Sequence, residues 1–261
     1  MEGSATTALL LTLLAGLATG IGSIISMFTK RNSKKFLSTA LGFSAGVMLY
    51  VSFSEMLTKS HGYLCQTYGE VPGLYAASAS FFGGMLLIML IDNLIPSPES
   101  DLTNAQSGRH DAVLQRMGLF TALAIAIHNF PEGLATFTAT LEDTAMGISI
   151  AVAIAIHNIP EGIATAVPVY YATGSRKKSF FLSFLSGLTE PLGAVLGYLI
   201  LRPFLNDTIY GIIFAMIAGI MVYIACEELI PMAREYDKGN TMIGGLIAGM
   251  CIMAVSLILF I

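Results

Sequence analysis

Two stretches of the chain read almost alike: Ala122–Thr136, ALAIAIHNFPEGLAT, and Ala151–Thr165, AVAIAIHNIPEGIAT. Twelve of the fifteen positions are identical, at an offset of 29 residues. Each copy sets a polar block, His-Asn-x-Pro-Glu-Gly, inside a run of Ala and Ile long enough to be a membrane-spanning helix. The copies lie on consecutive apolar stretches, so their helices run antiparallel. The His–Asn pair falls near the centre of its stretch in each, which puts both pairs close to the bilayer midplane, where transporter sites commonly lie.

Working outward, eight apolar stretches emerge, at about 5–29, 36–58, 73–94, 117–140, 145–171, 178–201, 208–230 and 240–261. A spanning helix needs roughly 20 mostly apolar residues, so 261 residues are filled by eight of them with short connections. The chain is 55% hydrophobic and 11% charged, against about a quarter charged in a soluble domain. This predicts an all-α membrane protein with one transmembrane domain over 1–261 and the lipid bilayer as its solvent. The polar, Ser/Asn-rich segment Pro96–Gln115 is expected to be a flexible loop. The first stretch begins with Glu2 and lacks a basic leader, so it is expected to stay as a helix. A net charge of −4 leaves no basic domain to hold nucleic acid. The three cysteines, Cys65, Cys226 and Cys251, have no CxxC spacing and read as small apolar residues, and the 14 methionines read as core filler.

Orientation follows from lysine and arginine, which favour cytoplasmic loops. With the N-terminus outside, eleven of the 13 basic residues fall in inner loops, and only Lys59 and Arg202 fall outside. An odd number of spans would destroy this alternation. The reading is therefore a multi-pass protein of the cell (inner) membrane with both termini outside.

The chemistry sits in the repeated block. His128 and Glu132, like His157 and Glu161, are four residues apart and share a helix face. Two such faces opposed offer two imidazoles and two carboxylates, enough for a four-coordinate divalent cation. Asn129 and Asn158 stand three residues before the glutamates and can share a target with them, so two adjacent metal positions sharing the glutamates are reasonable. Pro131 and Pro160 cannot donate to Ile127 and Ile156. Backbone freed in this way is tolerated in lipid only where it faces protein or water, which predicts a hydrated cavity beside the ligands. Gly133 and Gly162 allow close helix approach. The alternative is a polar cluster that merely glues helices. An ionised group at the midplane costs roughly 2.5–3.5 kcal/mol, and glue does not need four such groups aimed at one place.

Other membrane acids extend the set. Glu190, beside Pro191 at the centre of the sixth stretch, is a further candidate ligand. Glu55 lies near the outer end of the second stretch and is assigned to an entrance. Asp92, at the inner end of the third, and Glu227 with Glu228, at the inner end of the seventh, are assigned to a cytoplasmic exit. Carboxylates at both mouths draw cations by their field. His61 and His110 read as solvated loop residues.

These residues together resemble the ZIP (Zrt-, Irt-like protein) family of metal-ion transporters, in particular its short bacterial zinc-uptake branch. The resemblance rests on the two His-Asn-x-Pro-Glu-Gly blocks, Glu190-Pro191, and the run Glu227-Glu228-Leu229-Ile230-Pro231, and it covers nearly the whole chain. It implies one metal position held by His128, Glu132, His157 and Glu161. A second would be held by Asn129, Glu132, Asn158, Glu161 and Glu190. It also implies that spans one to three and six to eight are inverted repeats around the fourth and fifth, and that alternating access resembles an elevator. Substrates in similar proteins are Zn²⁺ and often Fe²⁺, Mn²⁺, Co²⁺ and Cd²⁺. The His-rich loop of many relatives is reduced here to His110.

The expectation is therefore uptake of divalent transition metal, Zn²⁺ first, with the ion as substrate and no cofactor. No cysteine lies in the site, which argues against Cu⁺, and no Walker A pattern occurs, which argues against direct drive by ATP. The sequence allows a homodimer. The rival reading is an intramembrane metal-dependent hydrolase with Glu161 as general base, but it lacks HExxH and leaves the acids at the two mouths unexplained.

Overall fold

The computed structural model describes residues 4–28, 33–94, 106–142, 144–201, 204, 206–237 and 239–259. Most of the long loop, Lys30, Arg31, Arg202, Lys238 and the side chains of Arg109 and His110 lie outside the described residues. Among the described residues the chain is helical without a strand. Joining contiguous helical segments, we number the helices α1 Ala5–Met27, α2 Lys34–Tyr68, α3 Glu70–Leu94, α4 Gln106–Glu142, α5 Thr144–Thr173, α6 Arg176–Ile200, α7 Asp207–Glu235 and α8 Thr241–Leu259. Among the described residues, seven helical stretches are long and apolar enough to cross a membrane, and α4 is not one of them. The shortfall of α4 follows from its polar content: Gln106–Asp111 at its start and His128, Asn129 and Glu132 at its middle.

Local signals account for the helix ends. The side chains of Ser4, Ser33, Ser175 and Asn206 each accept a hydrogen bond from the backbone N–H three residues on, capping α1, α2, α6 and α7. The backbone turns at Gly69, whose φ of +88° only glycine adopts without strain, and α3 begins at once. Three boundaries differ from the sequence reading. α2 runs on to Tyr68, because its amphipathic end buries Ser60 and Leu64. α7 likewise continues to Glu235. α4 starts at Gln106, which makes Arg116 a helix residue and not a loop charge. α4 and α5 run through Pro131 and Pro160 without interruption. α6, by contrast, breaks at Leu188, close to the carbonyl of Gly187 that Pro191 cannot serve.

The exterior and interior are inverted relative to a soluble protein. Large apolar side chains such as Leu10 and Leu14 of α1, Leu86 and Leu90 of α3, and Ile258 and Leu259 of α8 are exposed. His128, Asn129, Glu132, His157, Asn158, Glu161 and Glu190 are buried. An apolar exterior over a polar centre is what a bilayer stabilises.

The helices pack as two groups. α1, α4, α5 and α6 pack on one another, as do α2, α3, α7 and α8, and the groups meet chiefly where α2 crosses α5. Ser44 of α2 donates to Pro160 O of α5 across that seam, at 2.8 Å. Within each group glycines let backbones touch. A Cβ at Gly133 would lie 1.9 Å from Glu190 O, and one at Gly84 would lie 2.1 Å from Met216 O. With no hydrophobic drive between helices in lipid, such close contact supplies the dispersion that holds them.

Candidate metal centre

The antiparallel pair α4 and α5 brings the two repeated blocks face to face. His128 Nε2 lies 3.3 Å from Glu132 Oε2 and 3.3 Å from Glu161 Oε1. His157 Nε2 lies 3.4 Å from Glu132 Oε2. The imidazole centroids are 6.1 Å apart. Ligand atoms of His128, Glu132 and His157 all fall within 4.8 Å of one another. Ligand atoms on a tetrahedral ion with bonds of about 2.0–2.1 Å stand roughly 3.3 Å apart, close to the 3.3–3.4 Å of these three His–Glu pairs. The cluster can therefore accept a Zn²⁺-sized cation with little movement of its side chains.

Next to this cluster the two asparagines point their amide hydrogens away from it, at backbone carbonyls and at Glu190. Asn129 Nδ2 donates to Ser186 O at 3.3 Å, and Asn158 Nδ2 donates to Ala15 O at 2.9 Å and also to Glu190 Oε1. Both Oδ1 atoms are left buried without a hydrogen-bond partner, and a carbonyl-type oxygen of this kind suits a divalent cation. Glu190 is fully buried in the first turn after the break in α6. The structure thus gathers all seven predicted midplane residues in the interior. Among the described residues no Lys or Arg is buried with them. Carboxylates removed from water need a compensating charge.

A cavity of about 770 Å³ reaches this cluster from one end of the molecule. Its wall runs from Gln66 and Asp207, both exposed, past Tyr63, Lys59 and Glu55 to Glu132. The expected entrance residue Glu55 is therefore on the cavity wall, but not alone: Lys59 Nζ is 2.9 Å from its Oε1. The expected exit residues are arranged differently. Asp92 is paired with Arg116, whose Nη1 is also 3.6 Å from Glu228 Oε1, and Tyr223 donates to Asp92 Oδ2 at 3.3 Å. Glu227 is exposed. Arg116 and Lys59 were missed as site-related residues because charges were counted for orientation and not paired across helices. The only signal for Arg116 was that it abuts the fourth apolar stretch.

The family described as "ZIP Zinc transporter" matches residues 96–257. The chain is 57% identical over 260 residues to a protein of Oceanobacillus iheyensis named "Zinc transporter ZupT", with 97% of each chain covered. It is 55% identical over 258 residues to a protein of that name from Streptococcus mutans, with 98% of each covered. A third, from Lysinibacillus sphaericus, is 53% identical over the full length of both. These relatives are named as transporters, and the hydrolase alternative is dropped on that ground. The chain belongs to the ZIP zinc transporter family.

Proposed function

We propose that this protein is a single transmembrane domain that takes up divalent transition-metal ions into the cytoplasm, with Zn²⁺ as its leading substrate. The observation that carries the reading is the buried convergence of His128, Glu132 and His157, with Glu161 3.3 Å from His128, at the end of a cavity that opens at the surface. One ion is held by these four. A second is held by Asn129, Asn158 and Glu190 with the same two glutamates shared. Nitrogen and oxygen ligands of this kind also suit Fe²⁺, Mn²⁺, Co²⁺ and Cd²⁺. The metal is cargo, and the reading needs no cofactor. Its partners are lipid and the ion, without nucleic acid, and a homodimer fits the same reading.

The transport step is read as alternating access between eight spans, α1–α3 and α6–α8 being inverted repeats about α4 and α5. Two observations support this. The matching π turns of α2 and α7, Ser52–Met56 and Ala225–Leu229, put an acid at the same place in each. The narrow seam between the two helix groups lets the group holding the site slide against the other. With both termini outside, the cavity faces outward, and the Asp92–Arg116–Glu228 cluster closes the inner side.

The test is Zn²⁺ flux into proteoliposomes for wild type and Glu161→Ala, with competing divalent ions. Flux by wild type and only background from the variant is expected. Equal flux from both would remove the site from the route.

A further inference from the structure

Contacts around the four helices that hold the site come in two matched sets. α1 lies against α5 so that a Cβ at Gly22 would be 2.1 Å from Ile159 O, and one at Gly162 would be 2.0 Å from Thr19 O. α6 lies against α4 so that a Cβ at Gly193 would be 1.9 Å from Phe130 O, and one at Gly133 would be 1.9 Å from Glu190 O. α1 and α6 meet through Gly16 and Gly187, where a Cβ on either would be 2.5 or 2.4 Å from the other's carbonyl oxygen. Asn158 donates to Ala15 O, and Asn129 donates to Ser186 O. One constant shift along the chain pairs Ala15 with Ser186, Gly16 with Gly187, Thr19 with Glu190 and Gly22 with Gly193. The shift between the repeated blocks pairs the α5 members with the α4 members. The sequences concur: AGLATGIG at 15–22 and SGLTEPLG at 186–193 share Gly, Leu and Gly in register.

Thr19 therefore occupies, on the α1 side, the place that Glu190 occupies on the α6 side. The two side chains also leave the backbone in matching directions. The Glu190 Cβ faces Gly16, 3.3 Å from where that residue's Cβ would be, and the Thr19 Cβ faces Gly187 at 2.9 Å. Glu190 is long enough to reach the amide of Asn158. Thr19 is too short to do the same for Asn129. Thr19, like Thr121, Thr136 and Thr165, is a buried threonine whose hydroxyl has no partner, unlike two others. Thr12 and Thr140 donate to the carbonyl four residues back, at 2.9 and 2.7 Å. The corresponding carbonyl for Thr19, Ala15 O, receives Asn158. Thr19 Oγ1 and Asn129 Oδ1 are both buried without a hydrogen-bond partner.

We propose that Thr19 is a further wall residue of the metal site, opposite Glu190, and that it sets how tightly the second ion is held. Its hydroxyl takes an ion-bound water on the Asn129 side. Its neutrality leaves two divalent ions facing the carboxylates of Glu132, Glu161 and Glu190, one negative charge short of balance, so an ion that binds can also leave. A carrier needs that release, and a fourth carboxylate would oppose it.

This inference rests on the zinc reading above, and its test separates the two. Zn²⁺ affinity is measured on purified protein by competition with a chromophoric chelator, for wild type, Glu190→Thr, Thr19→Glu and the double swap Thr19→Glu/Glu190→Thr. Glu190→Thr should weaken binding about tenfold, and the swap should recover most of that loss, because the carboxylate returns to the matching place. Thr19→Glu alone should bind about tenfold tighter and turn over correspondingly more slowly. A swap no better than Glu190→Thr would overturn the proposal. If the glutamate variants fail to fold, Thr19→Val against Thr19→Ser decides. A several-fold loss of affinity with Val alone supports a ligand-facing hydroxyl, and identical affinities refute it. A wild type that binds no Zn²⁺ would instead sink the zinc reading itself.

Discussion

α2 and α7 each contain one π turn, and in each the fourth residue of the turn is glutamate, Glu55 in one and Glu228 in the other. The local backbone is the same, and π turns of this sort tend to mark functional sites. The surroundings are not the same. Glu55 stands beside Lys59 on the wall of a cavity that leads to Glu132. Glu228 is held with Asp92 by Arg116, which crosses from the helix group that carries the site. One acidic helix segment lines an open cavity and the other is clasped by an arginine. Acidity along a sequence marks where a cation could pass. Whether the mouth is open depends on which cation from another helix is already there.

The comparison can be broken first at its centre. Glu132 is the residue shared by the cavity wall and the metal cluster, so Glu132→Gln should lower Zn²⁺ uptake in proteoliposomes by about 100-fold or more, at least the upper end of what supporting residues cost. Uptake that survived would mean that the two mouths are not ends of one route. Next in size is Arg116→Ala, which unlocks the clasped mouth. It should change turnover several-fold, through a population shift of about tenfold per 1.4 kcal/mol, and leave the KM for Zn²⁺ nearly unchanged. A change in KM alone would place Arg116 on the binding path and not on the clasp. The smallest effect belongs to Glu55→Ala, which should raise KM about two- to threefold at low ionic strength and less at high salt, since salt screens the field that reaches out through the open cavity. Lys59→Ala should move KM the other way. A loss of turnover in either would contradict the view that this mouth only gathers ions.

Much of the site was legible because its signals are local. A duplicated His-Asn-x-Pro-Glu-Gly block in an Ala/Ile run places imidazole, amide and carboxylate by helix geometry alone. That two consecutive spans must run antiparallel then sets the copies opposite one another. The helices were legible for the same reason, since about 20 apolar residues declare themselves. What was misread lay at helix ends, where an amphipathic segment such as Thr58–Tyr68 continues a helix beyond the apolar stretch. Arg116 was misread in the same way: its place in α4 makes it a partner of Asp92 and Glu228 and not a loop charge. Thr19 carried no signal at all, because a threonine in an apolar helix is ordinary until Glu190 is seen in the matching position.

Sequence alone therefore determined the helical class, the two repeated blocks and the identity of the polar residues buried among the helices. All of these follow from rules that act over one turn or one span. Tertiary structure decided the division into two groups of helices, the open cavity at Glu55, the clasp at Arg116 and the pairing of Thr19 with Glu190. These depend on which backbones come close enough to touch. In this protein that is set by glycine-lined contacts between helices distant in the chain, such as Gly133 against Glu190 and Gly162 against Thr19, and no periodicity within a single helix encodes its neighbour.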